Sequence, residues 1–360
     1  MRMQNSRLVI SSSCLRMLLC AGLVGCGLCV CDAVAVAESQ KSTSGPDAKV
    51  GSVELTLISH HDQLTGENDH FGSLLFDGNG HLLRHNESRT WLYTGGKVQG
   101  QWNSFVREFD LDTLKAGPRR RILDVYENDR WASAHLAIQA ANDLVVVFYS
   151  TGKMIRAAVS DSPNGGFTTD AHFTIRPSQD WEQGCSLESD CGFVRISDDD
   201  GELRIWMLYD TLCPGSKGQN GWAQIRIDKR KRSVELVGKH PENPIPLLRP
   251  GFAAARTGGN IDSRILFDGQ HALFYLSKKT SRSYRIAVAL SHDPLFQTLT
   301  SNQEVAGPLG SEGVIEKFQF YRHDGDLFLI YENADRHNDW RTSLRRYRLS
   351  TTDRPKEKRQ

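Results

Sequence analysis

The sequence has almost no net charge. Its 360 residues include 44 lysines and arginines against 43 aspartates and glutamates, and this balance gives no reason to expect nucleic acid or an anionic membrane surface as a partner. Helical periodicity is nearly absent, and no linker rich in proline, glycine or serine divides the chain beyond residue 52. We therefore expect a single domain, built from strands and large enough for a hydrophobic core.

Several catalytic motifs are also missing. No Ser-His-Asp elbow, phosphate-binding loop or dinucleotide fingerprint occurs where the surrounding strands would support one. The repeated Ser-x-Asp-x-Gly-x-Thr-Trp turn of sialidases is absent too. Two basic stretches, KAGPRRRIL (115–123) and RIDKRKRSVEL (226–236), are typical of solvated strand edges rather than of a nucleic-acid site.

The first 37 residues are typical of an export leader. Basic residues precede the apolar run MLLCAGLVGCGLCVC (17–31), which is shorter than the roughly 20 residues of a membrane span. Cleavage after Ala37 would make 1–37 a signal peptide and give a secreted or periplasmic protein. Alternatively, LVGC resembles a bacterial lipobox, in which the signal is 1–25 and a lipid on Cys26 anchors the protein to the outer face of a membrane.

The remaining chain is expected to have three parts. The small polar residues at 38–52 predict a tether, and 351–360 predict a charged tail. The folded domain is expected to occupy 53–350.

Few cysteines remain after the leader. Five of the eight lie within it, which leaves Cys185, Cys191 and Cys213. Their spacing matches no zinc pattern, so we predict no metal site there. In an oxidising compartment the spacing favours a Cys185–Cys191 bridge closing a small loop, with Cys213 free or buried.

Hairpin signals recur along the chain at similar spacing. Asn-Asp or Asp-Gly pairs between β-rich runs are the strongest short-range signals for a hairpin. They occur in SLLFDGNG (73–80), LAIQAANDLVVVFYS (136–150), FVRISDDDGELRIWMLYD (193–210), RILFDGQHALFYLS (264–277) and FQFYRHDGDLFLIYE (318–332). Successive turns are separated by 64, 59, 68 and 56 residues, a regularity that a large sandwich or jelly roll would not give. The sequence therefore predicts an all-β fold, a five-bladed β-propeller of four-stranded antiparallel blades.

Two stretches resemble a known family. WASAHLAIQAANDLVVVFYSTGKMIRAAVSDSPNGGF (131–167) is similar to the second blade of the five-bladed glycoside hydrolases called family 43, the arabinanase and β-xylosidase group. SDDDGELRIWMLY (197–209) resembles the third blade of that group. The resemblance extends over all five units, and its most specific piece is the Ser-Asp-Ser-Pro turn at 160–163. It implies a carbohydrate-active propeller.

The resemblance also implies three acidic positions: a base Asp at the start of the first blade, a tuning Asp, and an acid Glu in a Glu-Gly-Pro motif. This chain departs from that pattern. Asp69 lies two residues before the expected base, where Phe71 stands, and NID replaces the Glu-Gly-Pro motif. The candidate catalytic residues are therefore Asp69, Asp190 as a tuning or base carboxylate, Asp262 as the acid, and Glu316 or Glu188 as the substitute acid.

Each predicted first strand begins with carboxylate, amide or histidine side chains, in GENDHF, RWASAH, LESDCG, GGNIDSR and GVIEKF. In a propeller these starts converge on one funnel, and a polar funnel suits a hydroxyl-rich ligand. The aromatic rings would stack on sugars, and the arginines would bind a carboxylated or sulfated sugar. The candidate substrate-binding residues are Phe71, Arg130, Trp131, His135, Asn260 and Arg264.

Together these features predict a glycoside hydrolase acting on a poly- or oligosaccharide. The resemblance implies inversion, for which the two carboxyl groups lie about 6.5–9.5 Å apart. It also implies a role for His135 in holding an axial cation such as Ca²⁺, but a satisfied core histidine is the favoured interpretation, and no cofactor is expected. A non-catalytic carbohydrate-binding propeller or an interaction scaffold remains the alternative function. We expect a monomer.

Overall fold

The structure is a computed structural model of the chain. It describes residues 53–65, 69–214, 218–249, 254–261, 269–278, 284–309, 312, 314–334 and 340–351. Contacts group Lys49–Gln360 into one compact unit, distinct from Met1–Ala48. Within the described ranges there is no α-helix, only the short 3-10 turn Asp180–Glu182, and no helix long and apolar enough to cross a membrane is found in them.

The described residues form strands almost throughout. In chain order these are β1 (Val53–His61), β2 (Asp69–Asp77), β3 (Arg89–Val98), β4 (Gln101–Asp110), β5 (Lys115–Ala116), β6 (Arg120–Leu123), β7 (Ser133–Ala141), β8 (Leu144–Ser150), β9 (Ile155–Ser160), β10 (Thr168–Thr169), β11 (Ser186–Asp198), β12 (Glu202–Leu212), β13 (Asn220–Asp228), β14 (Ser233–Lys239), β15 (Ala254–Ile261), β16 (His271–Lys278), β17 (Tyr284–Ser291), β18 (Ser301–Ala306), β19 (Val314–His323), β20 (Asp326–Ala334) and β21 (Trp340–Thr351). The predicted all-β fold is confirmed.

The five predicted strand pairs are all present. β2 pairs with β3, β7 with β8, β11 with β12, β15 with β16 and β19 with β20, each antiparallel. The turn residue Asp268, in the fourth pair, lies outside the described residues. The Asn-Asp and Asp-Gly signals therefore located these pairs correctly.

The strands assemble into sheets of four antiparallel strands. Three sheets have the orders β11-β12-β13-β14, β15-β16-β17-β18 and β1-β21-β20-β19. A nine-stranded sheet contains two antiparallel groups, one from β2 to β6 and one from β7 to β10, joined where β2 runs parallel to β7. In the last sheet the N-terminal strand β1 pairs with the C-terminal strand β21, so the two ends of the described chain are held together.

The first strands of these groups are neighbours in a closed cycle. β2 contacts β7, β7 contacts β11, β11 contacts β15, β15 contacts β19, and β19 returns to β2. We call these five strands the inner ring. The five predicted first strands are therefore neighbours, and the convergence of their starts on one funnel stays a prediction.

Strand composition follows position in each sheet. The second strand β8, LVVVFYS, is buried at every residue because neighbouring strands and sheets cover both of its faces. Such strands are continuous apolar runs rather than alternating ones. The outer strand β18, SNQEVA, has no buried residue and carries polar side chains, as expected for an exposed sheet edge.

The second strand of each of the five pairs contains a tyrosine that is at most 1% exposed: Tyr93, Tyr149, Tyr209, Tyr275 and Tyr331. Beside each tyrosine the inner-ring strand shifts register, between Phe71/Ser73, Ala134/Leu136, Ser189/Phe193, Arg256/Gly258 and Glu316/Phe318. A bulge of this kind bends a strand and redirects the extra residue. The same local geometry therefore recurs around the inner ring.

The first bulge brings two inner strands very close together. A Cβ added to Gly72 would lie 2.0 Å from the backbone oxygen of Ala134, so only glycine fits there. The buried thiol of Cys191 contacts the backbone oxygen of Gly72 at 3.1 Å. Gln319 bonds the backbones of both Leu74 and Cys191, and these cross-links tie three inner strands together.

The disulfide differs from the sequence prediction. Cys185 bonds to Cys213, with their Cα atoms 4.2 Å apart, and Cys191 is a buried free thiol. The register explains this, because Ser186 of β11 lies opposite Leu212 of β12 and places the flanking cysteines side by side. Cys191 lies six residues further along the extended strand, out of reach of Cys185.

Candidate functional site

The bulges set charged and polar side chains at the starts of the inner ring. Asp190 and Lys317 lie within the register shifts of β11 and β19, and His135 is the extra residue of β7. Lys317 also has a positive φ of 31°, a backbone conformation that non-glycine residues adopt rarely. Asp190, His135 and Lys317 are all buried.

Lys317 is the centre of a group of carboxylates. Its Nζ lies 2.8 Å from Oε2 of Glu188, 3.7 Å from Oδ1 of Asp190 and 4.0 Å from Oδ1 of Asp210. We call these four residues the carboxylate cluster. Nδ2 of Asn220 donates to Oδ2 of Asp190 at 2.8 Å. The cluster and Asn220 thus join side chains from β11, β12, β13 and β19.

The members of the cluster differ in accessibility. Asp190 and Asp210 have 0% exposed side chains, whereas 13% of the Glu188 side chain is exposed. Burial acts to lower the pKa of Lys317, but Asp210, Glu188 and Asp190 outweigh it and raise that pKa above its ordinary value. The lysine is therefore a fixed cation. Glu188 is the member of the cluster best placed to reach a ligand.

His135 lies close to the cluster and is neutral. Burial, reinforced by the charge of Lys317, lowers its pKa to about 3. Nδ1 lies 3.1 Å from the backbone oxygen of Ser189 and 3.0 Å from Oγ of Ser150, and Nε2 lies 2.9 Å from Oγ of Ser133. Both ring nitrogens thus have protein partners, and the neighbouring charge is positive. These residues do not fit the axial cation that the resemblance implies, and His135 is a satisfied core histidine.

A second group lies where the first and last inner strands meet. His70 of β2 pairs through Nδ1 with the carboxylate of Glu332 on β20. Its ring contacts Trp102 edge-on, with centroids 3.9 Å apart, and stacks on Trp340 at 5.1 Å. Glu332 lies directly opposite Glu316 in the β19–β20 register. Glu316 is partly buried and adjacent to Lys317, so this group adjoins the carboxylate cluster.

Two further buried glutamates support the strands that carry the cluster. Glu182, before β11, accepts hydrogen bonds from Tyr209 at 2.6 Å and from Nζ of Lys239. Glu312, before β19, pairs with Arg345 and accepts from the Tyr331 hydroxyl. Both glutamates also accept backbone N–H groups of their own loops. These contacts fix the paths by which the chain enters β11 and β19.

The candidate residues Asp69 and Phe71, predicted at the start of the first blade, do not belong to the carboxylate cluster. The Asp69 carboxylate is 1% exposed and is held by Arg107 and by Arg119, the latter at 3.0 Å. Phe71 has 0% exposure and packs in the main hydrophobic core. Its ring is therefore not available for stacking on a sugar, which corrects that expectation. The same applies to His135 as a ligand contact, because it is 4% exposed and its ring nitrogens are occupied.

The other predicted binding residues are spread out. Arg130 is exposed, and the ring of Trp131 packs over the backbone of Gly152. Asn260 lies on β15, where only the backbone is described. Asp262 and Arg264 lie outside the described residues.

The structure adds residues that the sequence reading missed. Asp210 and Lys317 complete the carboxylate cluster, Asn220 donates to it, and His70 with Glu332 forms the second group. A signal for two of them was present, because Asp210 and Glu332 each directly follow a repeated tyrosine. Aligning the five tyrosines would have placed Asp210 and Glu332 at equivalent positions of their strands.

Comparisons with known proteins give matches only at the level of structure. No protein-family model matches the chain, and no curated protein sequence matches it. The structure of a BT0996 RGII complex has a TM-score of 0.57 at 12% identity, covering 84% of this chain and 93% of its own. A second structure, of a glycoside hydrolase, has the same four values. A thermostable family-43 glycoside hydrolase has a TM-score of 0.45 at 15% identity, covering 83% and 94%. The two matches with a TM-score of 0.57 show that the chain shares its fold with a solved glycoside hydrolase.

Proposed function

We propose that this protein is a secreted glycoside hydrolase with the carboxylate cluster in its catalytic centre. The observation that carries the proposal is the gathering of three carboxylates around Lys317, two of them fully buried, where the inner-ring strands begin. Burying charges is costly and seldom improves stability, whereas clustered charged groups of this kind are frequent at functional sites. Hydrolysis of a glycosidic bond needs two carboxyl groups in one site.

We further propose that the fold is a propeller of five blades. The closed cycle of five inner strands supports this count. The nine-stranded sheet then corresponds to two blades, which share a short parallel contact between β2 and β7. Pairing of β1 with β21 closes the ring through the last blade.

Glu188 and Glu316 are assigned as the pair that flanks the scissile bond. Glu188 is the most accessible member of the cluster, pairs with the cation Lys317 and takes the role of the base. Glu316 is partly buried, directly precedes Lys317 on β19 and takes the role of the acid. Asp190 and Asp210 are fully buried and act by positioning Lys317. Water attack with inversion is part of the proposal and is tested by the configuration of the product.

The substrate class follows from the family that the sequence resembles and from the structural matches. Arabinan, xylan and their oligosaccharides come first because the resembled group contains arabinanases and β-xylosidases. RGII oligosaccharides are added because one similar structure is that of an RGII complex. Lys317 supplies the positive charge of the site, so hydrolysis is expected to be insensitive to EDTA.

The experiment is hydrolysis of this panel by the wild type and by Glu188→Gln, Glu316→Gln and Asp190→Asn. Glu87→Gln, an exposed loop residue, is the matched control. We expect sugar release that is lost in the first two variants, retained in the control, and accompanied by an inverted anomer in ¹H NMR. Activity that survives both Glu188→Gln and Glu316→Gln would overturn the assignment. Binding without any hydrolysis would favour a non-catalytic carbohydrate-binding protein.

Export and anchoring are tested separately. We propose cleavage after Ala37, with lipid attachment at Cys26 as the alternative; both positions lie outside the described residues. The N-terminal sequence of the processed protein distinguishes them. Membrane release on Cys26→Ser would support the lipid anchor.

A further inference from the structure

His70 is held in one orientation by its surroundings. Trp102 contacts the imidazole edge-on, with planes inclined by 83°, and Trp340 stacks on it at 29°. The side chain is 18% exposed. Side chains on three strands, β4, β20 and β21, therefore fix a ring carried by β2. Such preorganisation is characteristic of groups that act on a ligand.

Glu332 selects the tautomer of this histidine. Its side chain is 5% exposed, and its carboxylate contacts Nδ1 of His70. A carboxylate only accepts, so a neutral imidazole donates from Nδ1 and carries its lone pair on Nε2. The same orientation of a histidine by a carboxylate makes the far ring nitrogen a proton acceptor in catalytic triads.

The far nitrogen has no protein partner in the part of the chain that the structure describes. Nε2 of His70 is buried and makes no hydrogen bond to the described residues. A buried polar atom without a partner is destabilising, and in native proteins such an atom commonly marks a ligand or water position. His135 provides the contrast, because both of its ring nitrogens are bonded.

The location ties this nitrogen to the carboxylate cluster. Glu332 is the cross-strand partner of Glu316, and Glu316 adjoins Lys317 in the chain. Through Glu332 the imidazole is thus linked to Glu316, one of the two carboxyl groups assigned to bond cleavage.

We propose that His70 is a substrate-binding residue whose Nε2 accepts a hydrogen bond from a sugar hydroxyl, and that Glu332 is its positioning residue. This inference rests on the proposed function, because it assigns the ligand of Nε2 to the same saccharide. The ligand class is a neutral hydroxylated sugar ring next to the scissile bond. Removing Nε2 weakens both ground-state and transition-state binding of that ring.

The chain contains a matched control. His85 also stacks on a tryptophan, Trp91 at 5.0 Å, and pairs with a glutamate, Glu108 at 3.1 Å. It lies in the loop between β2 and β3, at the opposite end of β2 from His70. A phenylalanine at either position keeps an aromatic ring for the stack and removes both nitrogens.

The test compares His70→Phe with His85→Phe in the full processed protein. The probes are arabinan, xylan and RGII oligosaccharides, and the readouts are kcat, KM and binding by calorimetry. For His70→Phe we expect kcat/KM and affinity to fall by about 10- to 100-fold, the loss of one hydrogen bond to a buried group, with His85→Phe unchanged. Glu332→Gln should lower kcat/KM as well, because an amide can donate to Nδ1 and move the ring proton to Nε2.

A direct readout uses ¹⁵N-histidine NMR of the wild type. We expect Nδ1 of His70 to be protonated, and the Nε2 resonance to shift when a bound oligosaccharide is added. If the wild type hydrolyses a substrate, His70→Phe is equally active and the Nε2 resonance does not shift, the inference is overturned. The proposed function would then still stand. A shifted Nε2 without hydrolysis would support the inference and overturn the enzyme assignment. No binding and no hydrolysis by the wild type would overturn both.

Discussion

Replacing Lys317 by methionine removes the cation of the carboxylate cluster and keeps a side chain of similar length. In the native structure its Nζ lies 2.8 Å from Glu188, 3.7 Å from Asp190 and 4.0 Å from Asp210. The variant leaves these carboxylates buried without their countercharge. We expect the free energy of unfolding to fall by about 3–5 kcal/mol at neutral pH, the usual cost of removing one partner of a buried ion pair. That is a large part of the roughly 5–15 kcal/mol available to a folded protein.

The pH dependence of the stability loss shows whether the missing charge of Lys317 is its cause. Burial acts to lower the pKa of Lys317, but the three carboxylates raise it above its ordinary value of 10.5. A base with a raised folded-state pKa contributes stability that is complete below the unfolded pKa and is lost as the pH rises through the folded one. The wild-type contribution is therefore constant between about pH 5 and 8. In the variant, protons taken up by the carboxylates relieve their repulsion, so its deficit should shrink towards acid.

Urea denaturation across this pH range measures both effects. Lys115→Met, at an exposed lysine, is the control and should stay within about 0.5 kcal/mol of the wild type. A Lys317→Met variant as stable as the wild type would refute the reasoning. So would a deficit that widens as the pH falls.

Three other predictions concern stability. Because the pKa of His135 is lowered from 6.5 to about 3, the unfolded state binds a proton in this range that the folded state does not. Stability should then decline by up to about 1.4 kcal/mol per pH unit as the pH falls from 6.5 towards 3. In urea titrations at several pH values, His135→Gln should flatten that slope, and an equal slope would contradict it. Breaking the Cys185–Cys213 bridge by Cys185→Ser should cost about 3.6 kcal/mol for a separation of 28 residues; a non-reducing peptide map with another pairing would disprove the premise. Gly72→Ala should cost more than about 4 kcal/mol in urea unfolding, because its Cβ would lie 2.0 Å from a backbone oxygen. Gly238→Ala, with nothing within 4 Å, is the comparison, and equal stabilities would contradict the close approach.

Much of the fold could be predicted because its determinants are local. Asn-Asp and Asp-Gly turns lie next to β-rich runs, and a hairpin forms within a short stretch of chain. The regular spacing then indicated a repeat. The disulfide was harder, because the partner of Cys185 depends on the β11–β12 register and not on proximity in sequence.

The site was only partly predictable because it forms from distant residues. Asp190 and Glu316 were found at strand starts, but their neighbour Lys317 acts on carboxylates more than a hundred residues away in the chain. Asp69 occupies a position close to a family motif, yet Arg107 and Arg119 hold its carboxylate. Which side a strand presents to the inner ring is set by the bulges, and bulges leave little trace in a single sequence.

The central claim is that carboxyl groups beside Lys317 cleave a glycosidic bond. The most direct measurement is the rate of reducing-sugar release from the oligosaccharide panel by the wild type and by Glu188→Gln, with Glu87→Gln in parallel. The account predicts release by the wild type and the control, and a loss of about 10²- to 10⁴-fold in Glu188→Gln, the usual contribution of general acid–base catalysis. Equal rates for Glu188→Gln and the wild type, or no release by any of the three proteins, would contradict it.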